Sequence, residues 1–112
     1  MLWFKPGAVF SHVHPRLLEG LVVLCRLFDQ YSVSDLTITS GTDGVHKKGS
    51  FHGTGRAVDV RSKTLPPAKV EAVVRAFRAT EDADFDLLWE FPGQANEHLH
   101  LEYDPKPQGN AL

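Results

Sequence analysis

Glu97-His98-Leu99-His100-Leu101-Glu102-Tyr103 alternates polar with apolar residues from its second position onward. Successive side chains of a strand point to opposite faces, so residues 98–103 read as a strand. His98, His100 and Glu102 share one face, and Leu99, Leu101 and Tyr103 share the other. Residues 56–61 repeat the rule, with Ala57, Asp59 and Arg61 set against Val58 and Val60. Residues 36–39 repeat it again, with Thr37 and Thr39 against Leu36 and Ile38. Three strands with one apolar and one polar face imply a sheet covered on one side only. The candidate ligands then gather on the uncovered side.

Two helices supply the cover. Pro15 suits a first helical turn, where its missing N–H costs nothing. Leu17, Leu18, Leu21, Val22, Leu24, Cys25 and Phe28 then predict a helix over about residues 15–31. Pro66-Pro67 opens a second, in which Val70, Val73, Val74 and Phe77 fall at i, i+3, i+4 and i+7. Residues 85–91 complete the strand set and end at Pro92-Gly93. The expected fold class is α+β: a small, mostly antiparallel four-stranded sheet, two helices packed on one face and a metal site on the other. One domain over residues 1–112 is expected, with its core at about 15–103 and a loose tail at 104–112.

The composition agrees with one modest globular domain. The chain has 112 residues, 42% of them apolar, with 12 Lys and Arg against 14 Asp and Glu. No basic run marks a nucleic-acid surface, so no nucleic-acid partner is expected, and the chain is read as a monomer. Cys25 stands alone in an apolar run and reads as a small buried hydrophobe; neither a disulfide nor a cysteine-rich zinc site is open to it. The amino-terminal residues lack the features of a secretory signal, and the apolar run 17–27 is too short for a bilayer. The expectation is a soluble product made in the cytoplasm that reaches a cell wall only when another factor releases it.

Residues 40–55 form a long segment rich in Gly, Ser, Thr and His, and long loops in small domains tend to carry function. It ends in Ser50-Phe51-His52-Gly53-Thr54-Gly55-Arg56-Ala57-Val58-Asp59, answered later by Glu97-His98-Leu99-His100. Together these stretches offer histidines and a carboxylate able to bind a metal, with a second carboxylate beside them. Three protein ligands and an open fourth position would make a catalytic rather than a structural zinc site. Alternation raises a difficulty for Glu97, which on a regular strand points away from His98 and His100. It reaches their face only from a turn or a bulge, and Pro92-Gly93-Gln94-Ala95-Asn96 predicts a turn that leaves Glu97 at the strand's edge.

The pattern Ser-x-His-x-x-Gly-x-Ala-x-Asp, followed by Glu-x-x-His with an embedded His-x-His, resembles the zinc D-alanyl-D-alanine peptidases. That group includes carboxypeptidases, vancomycin-resistance dipeptidases and phage endolysins, and shares its metal-site fold with lysostaphin-type enzymes and Hedgehog domains. The resemblance covers about residues 36–103. It implies that His52, Asp59 and His100 bind zinc (Zn2+), that Glu97 is the general base, and that His98 stabilises the transition state or orients the site. The substrate it implies is a peptidoglycan peptide, a D-Ala-containing stem peptide cut by a carboxypeptidase or endopeptidase. Zinc lowers the pKa of a coordinated water to about 7 and polarises a carbonyl; a carboxylate can then carry the proton to the leaving amine. Ser50 is expected to support His52, and Gly55 to let backbone pass close to the site.

One departure bears on the substrate. The family commonly has an Arg just after the first strand to hold a terminal carboxylate, where this chain reads Thr39-Ser40-Gly41-Thr42-Asp43-Gly44. Arg56, Arg61 or Lys47 and Lys48 takes over, or the substrate lacks that carboxylate, as an endopeptidase substrate would. Arg56 and Ser50 are the expected substrate contacts. The remaining polar residues have plainer readings: His12 and His14 as surface histidines, Asp43 as a turn builder, Lys47-Lys48 as a solvated pair, Glu90 as solvent-facing or a neighbour of the site, with the base as its alternative role. His46 is either a loop-ordering or substrate-facing residue or has no role, and Trp3 and Trp89 belong to core or rim. A non-catalytic zinc-containing binding module of the Hedgehog type, and a phage structural protein, are the competing functions.

Overall fold

The computed structural model describes residues 1–33, 35–42, 51–52, 54–80 and 84–105. In chain order its elements are β1 (Leu2–Phe4), α1 (Pro15–Gln30), β2 (Leu36–Ser40), β3 (Ala57–Arg61), α2 (Pro67–Thr80), β4 (Phe85–Glu90) and β5 (His98–Tyr103). The expected Asp43 turn, His46, the Lys47-Lys48 pair, Ser50 and the tail beyond Pro105 lie outside the described residues.

Both helices form where the apolar spacing places them. α1 starts at Pro15, and His14 caps it, its Nδ1 accepting the Arg16 N–H at 3.1 Å. His14 is thus a half-buried cap, tilted against the Tyr103 ring at 4.7 Å, rather than the surface histidine expected; His12 is exposed. α1 buries Leu17, Leu21, Leu24 and Phe28, and α2 buries Val70, Val73, Val74 and Phe77. These meet Ile38, Val58, Val60, Leu87, Leu99 and Leu101 in one cluster. Each such side chain taken fully from water stabilises the fold by about 1.5–3 kcal/mol. Gly20 of α1 lets the Phe85 ring approach: a Cβ there would lie 2.6 Å from ring atom Cε1. Trp89 is half-buried against the core, whereas Trp3 is exposed and donates its indole N–H to Asp35 at 3.0 Å. Cys25 is half-buried, and burial pushes its thiol up from the ordinary value. Among the described residues no helix is long and apolar enough to cross a membrane.

Among the described residues the sheet has five strands, in the order β1-β2-β3-β5-β4, which corrects the expected four. It is mostly antiparallel as expected, and mixed because of β1 alone. The four expected strands pair antiparallel, while β1 joins the edge in parallel with β2. β1 escapes a periodicity reading because it has three residues and all three are exposed. Its place is set by long-range bonds, Leu36 N–H to the Met1 carbonyl and Lys5 N–H to the Ile38 carbonyl, each 2.9 Å.

Candidate metal centre

The register between β3 and β5 builds the site. Asp59 lies opposite His100, Arg61 opposite His98 and Ala57 opposite Glu102, and on the far side β4 sets Glu90 opposite His98. The pairing runs unbroken through residues 98–103, so the polar sides of three strands merge into one surface. His52 reaches it from outside the sheet. Its own backbone is tied down locally, its carbonyl accepting the Gly55 N–H at 3.1 Å. Gly55 has φ +73°, a conformation in which side chains are strained, and sits against the His12 backbone.

Three histidines converge on one oxygen, Asp59 Oδ1. His100 Nδ1 is 2.9 Å from it, His52 Nε2 3.2 Å and His98 Nε2 3.7 Å. His52, Asp59 and His100 each offer a ligand atom within 4.8 Å of the others, which brings together the expected zinc set. The other nitrogens of the two imidazoles are held. His52 Nδ1 faces the Gly41 carbonyl at 3.0 Å, and His100 Nε2 faces Glu102 Oε1 at 2.7 Å. A carbonyl oxygen only accepts, so His52 carries its proton on Nδ1 and turns Nε2 toward Asp59. Outer acceptors of this kind fix the tautomer and ring orientation of metal-binding histidines. Two imidazoles and a carboxylate are also a donor set suited to zinc, so the residues fit the ion.

The charges at the centre are strongly coupled. Burial opposes ionisation of Asp59, but bonds from His100 and His52 outweigh it and hold the carboxyl well below its usual range. Burial lowers His100, but its bonds to Asp59 and Glu102 prevail and push it up to about 9. His52 is also raised: burial opposes the charged form, and the Asp59 bond and charge more than offset it. Without metal, protons bind these groups together; a cation would replace them.

His98 lies beside the group and not within it. Its Nε2 is 2.8 Å from Glu90 Oε1, and its Nδ1 donates to the Asn96 carbonyl at 2.8 Å. Glu97 occupies the turn residue before β5, as the Pro92–Asn96 segment predicts. Its side chain nonetheless obeys the alternation and is not brought to the metal group. Oε2 accepts from Ser62 Oγ at 2.8 Å and Trp89 Nε1 at 2.9 Å, and Oε1 accepts from the Gly93 N–H at 2.9 Å. Trp89 pairs with the buried Leu99, and Ser62 continues the parity of Val58 and Val60, so these donors lie on the helix side of the sheet. The Gly93 bond, opposed by burial and helped by Trp89 and Ser62, lowers the Glu97 carboxyl.

Arg56, an expected substrate contact, is also engaged elsewhere. Its guanidinium stacks 4.4 Å over the Phe51 ring and its Nε donates to Thr54 Oγ1 at 3.3 Å, so it braces the turn that carries His52. Of the three orienting groups, Glu102 and the Gly41 carbonyl carry no role in the sequence reading, and Glu90 is only one of its candidate neighbours of the site. Glu102 was legible as a face-mate of His100, two residues along the same strand. Glu90 needed the β4–β5 register, and the Gly41 carbonyl needed the tertiary fold. Glu102 also belongs to a second group of carboxylates, with Asp86 and Asp104, whose oxygens lie within 4.8 Å of one another.

No family model matches this chain, and no curated protein matches its sequence. Chemically, the arrangement can hold one divalent cation on three side chains, with a histidine–carboxylate pair next to it.

Proposed function

We propose that this chain is a zinc-dependent peptidase that hydrolyses peptide bonds of bacterial peptidoglycan, in D-Ala-containing stem peptides. The observation that supports this most is the convergence of His52, Asp59 and His100 on one point, with Gly41 and Glu102 orienting the two imidazoles. A structural zinc site closes its fourth position with protein; here the neighbouring groups are a histidine and carboxylates suited to proton transfer. The resemblance of the Ser50–Asp59 and Glu97–His100 motifs to zinc D-alanyl-D-alanine peptidases supplies the substrate class.

When bound, zinc would supply Lewis acidity, acidifying water and polarising the scissile carbonyl. The remaining work falls to the protein. The His98–Glu90 pair is positioned to take a proton from the attacking water at the Glu90 carboxylate, which the His98 Nε2–H holds in place. The water oxygen forms its bond to the carbonyl carbon, the C–N bond breaks, and the proton passes to the leaving amine. Glu97 serves as the base only by leaving three donors, so in this reading it anchors the start of β5. That engagement is also what favours the second reading, a zinc-containing binding module without catalysis.

Cleavage of peptidoglycan fragments by zinc-loaded wild type, His98→Ala and Glu97→Gln separates these possibilities. The peptidase reading expects turnover by wild type and a loss of about 10²–10⁴-fold in His98→Ala, the usual contribution of general acid–base catalysis. Such a loss in Glu97→Gln with His98→Ala active would move the base to Glu97. Zinc uptake without cleavage of any stem peptide would favour the binding module.

A further inference from the structure

The polar sheet face does not end at the metal group. Two residues beyond Asp59 on β3, Arg61 projects from the same face, about 6.6 Å further along the strand. A cavity of about 410 Å³ opens there, lined among others by Thr37, Arg61, Thr64, Lys69 and Asp35. Thr37 and Arg61 reach it from the polar face, while Ser32, Val33, Leu65 and Lys69 close it from the helix side. The cavity thus lies at the ends of β2 and β3, where the surface that bears His98 and Asp59 runs out. It lies at the start of α2, whose dipole favours an anion.

Its polar groups are unequally occupied. Asp35 accepts the Trp3 indole N–H at 3.0 Å, and Lys69 Nζ donates to the Ser32 carbonyl at 3.2 Å. Arg61 is exposed and, among the described residues, makes no ion pair or side-chain hydrogen bond. An arginine presents donors in a planar fork that matches a carboxylate. Two cations and the hydroxyls of Thr37 and Thr64 therefore outweigh one carboxylate that is already engaged.

We propose that this cavity is a specificity site for a free carboxylate on the substrate, held by Arg61 with Lys69 and the threonine hydroxyls about two residues from the scissile bond. The proposal rests on the peptidase reading for its position relative to the bond. An extended peptide advances about 3.3–3.6 Å per residue, so the Asp59–Arg61 offset corresponds to about two substrate residues. The site stands at the opposite end of β2 from the Thr39–Gly44 segment, so it does not substitute in place for an arginine there. It selects a different carboxylate, an internal or terminal one reached along the sheet.

The test uses two otherwise identical stem-type peptides, one with a free carboxylate two residues from the scissile bond and one with a carboxamide there. Zinc-loaded wild type is expected to prefer the carboxylate in kcat/KM by about tenfold, the scale of one charge-assisted bond. Arg61→Gln removes the preference through KM with kcat retained, and Arg75→Gln, which alters an exposed pair with Glu71, keeps it. A preference that survives Arg61→Gln, or is absent from wild type, overturns the site. If neither peptide is cleaved, calorimetric binding of the same peptides decides. Tighter binding of the carboxylate that Arg61→Gln abolishes sinks the peptidase reading and keeps the pocket; equal binding of both peptides sinks the pocket. Displacement by inorganic phosphate at lower concentration than by acetate overturns the assignment to a carboxylate.

Discussion

Glu102 accepts the His100 Nε2 proton at 2.7 Å from two residues along the same strand. Strand periodicity alone places the pair, because i and i+2 share a face. The bond turns Nδ1 of His100 toward Asp59, in the group that could hold a cation.

Removing the charge of that acceptor while keeping its shape should weaken the metal without unfolding the protein. Glu102→Gln is expected to lower zinc affinity by about 10–100-fold, the range for lost outer partners of metal-binding histidines. Competition with a coloured chelator measures it. Affinity equal to wild type would show that the Glu102 charge does not support the His100 ligand.

The metal-free protein should depend on pH through His100. Its folded pKa of about 9 lies above the unfolded value of about 6.5. The stability it contributes is therefore fully present below about pH 6.5 and lost as pH rises through about 9. Urea midpoints of wild type and His100→Gln, followed from pH 6 to 10, should converge at the alkaline end. A constant gap would contradict the coupling of His100 to Asp59 and Glu102. Zinc affinity should move the other way, rising with pH as protons cease to compete.

Glu97 gives the opposite sign. Its carboxyl is lowered from the ordinary value by the Gly93 N–H, against burial and with help from Trp89 and Ser62. The stability this gives is present above the unfolded pKa of about 4.3 and lost as pH falls through the lower folded value. Glu97→Gln should be less stable than wild type at pH 7, with the difference shrinking under acid, and should bind zinc as wild type does. A Glu97→Gln protein that loses zinc would place this carboxylate at the metal instead.

Gly20→Ala sets helix propensity against packing. Alanine gains about 1 kcal/mol in a helix, but its Cβ would meet the buried Phe85 ring at 2.6 Å. Overpacking costs typically 1–3 kcal/mol, so a net loss of about 1 kcal/mol is expected in urea denaturation. A stabilised variant would show that Phe85 moves aside freely.

What the sequence made legible divides along physical lines. Side-chain period placed both helices, four strands and the shared polar face, since each depends on spacing within one segment. It also put Asp59 and His100 on that face, and the motif spacing added His52. β1 stayed hidden because three exposed residues carry no pattern, and only pairing with Leu36–Ile38 defines them. The side chain of Glu97 was misplaced for a different reason. The turn before β5 is present, but Trp89 and Ser62 supply donors on the helix side, placed by tertiary packing, and the Gly93 N–H adds a third from the turn itself. Glu90 became visible as the partner of His98 through the β4–β5 register.

The central claim is that His52, Asp59 and His100 hold one metal ion between them. Calorimetric titration of zinc into chelator-stripped protein tests it directly. Wild type should take up one equivalent, and His52→Ala, Asp59→Ala and His100→Ala should each lose more affinity than the roughly 10–100-fold of an outer partner, with His98→Ala close to wild type. A folded wild-type protein that takes up no zinc, or uptake that survives loss of any of the three, would contradict it.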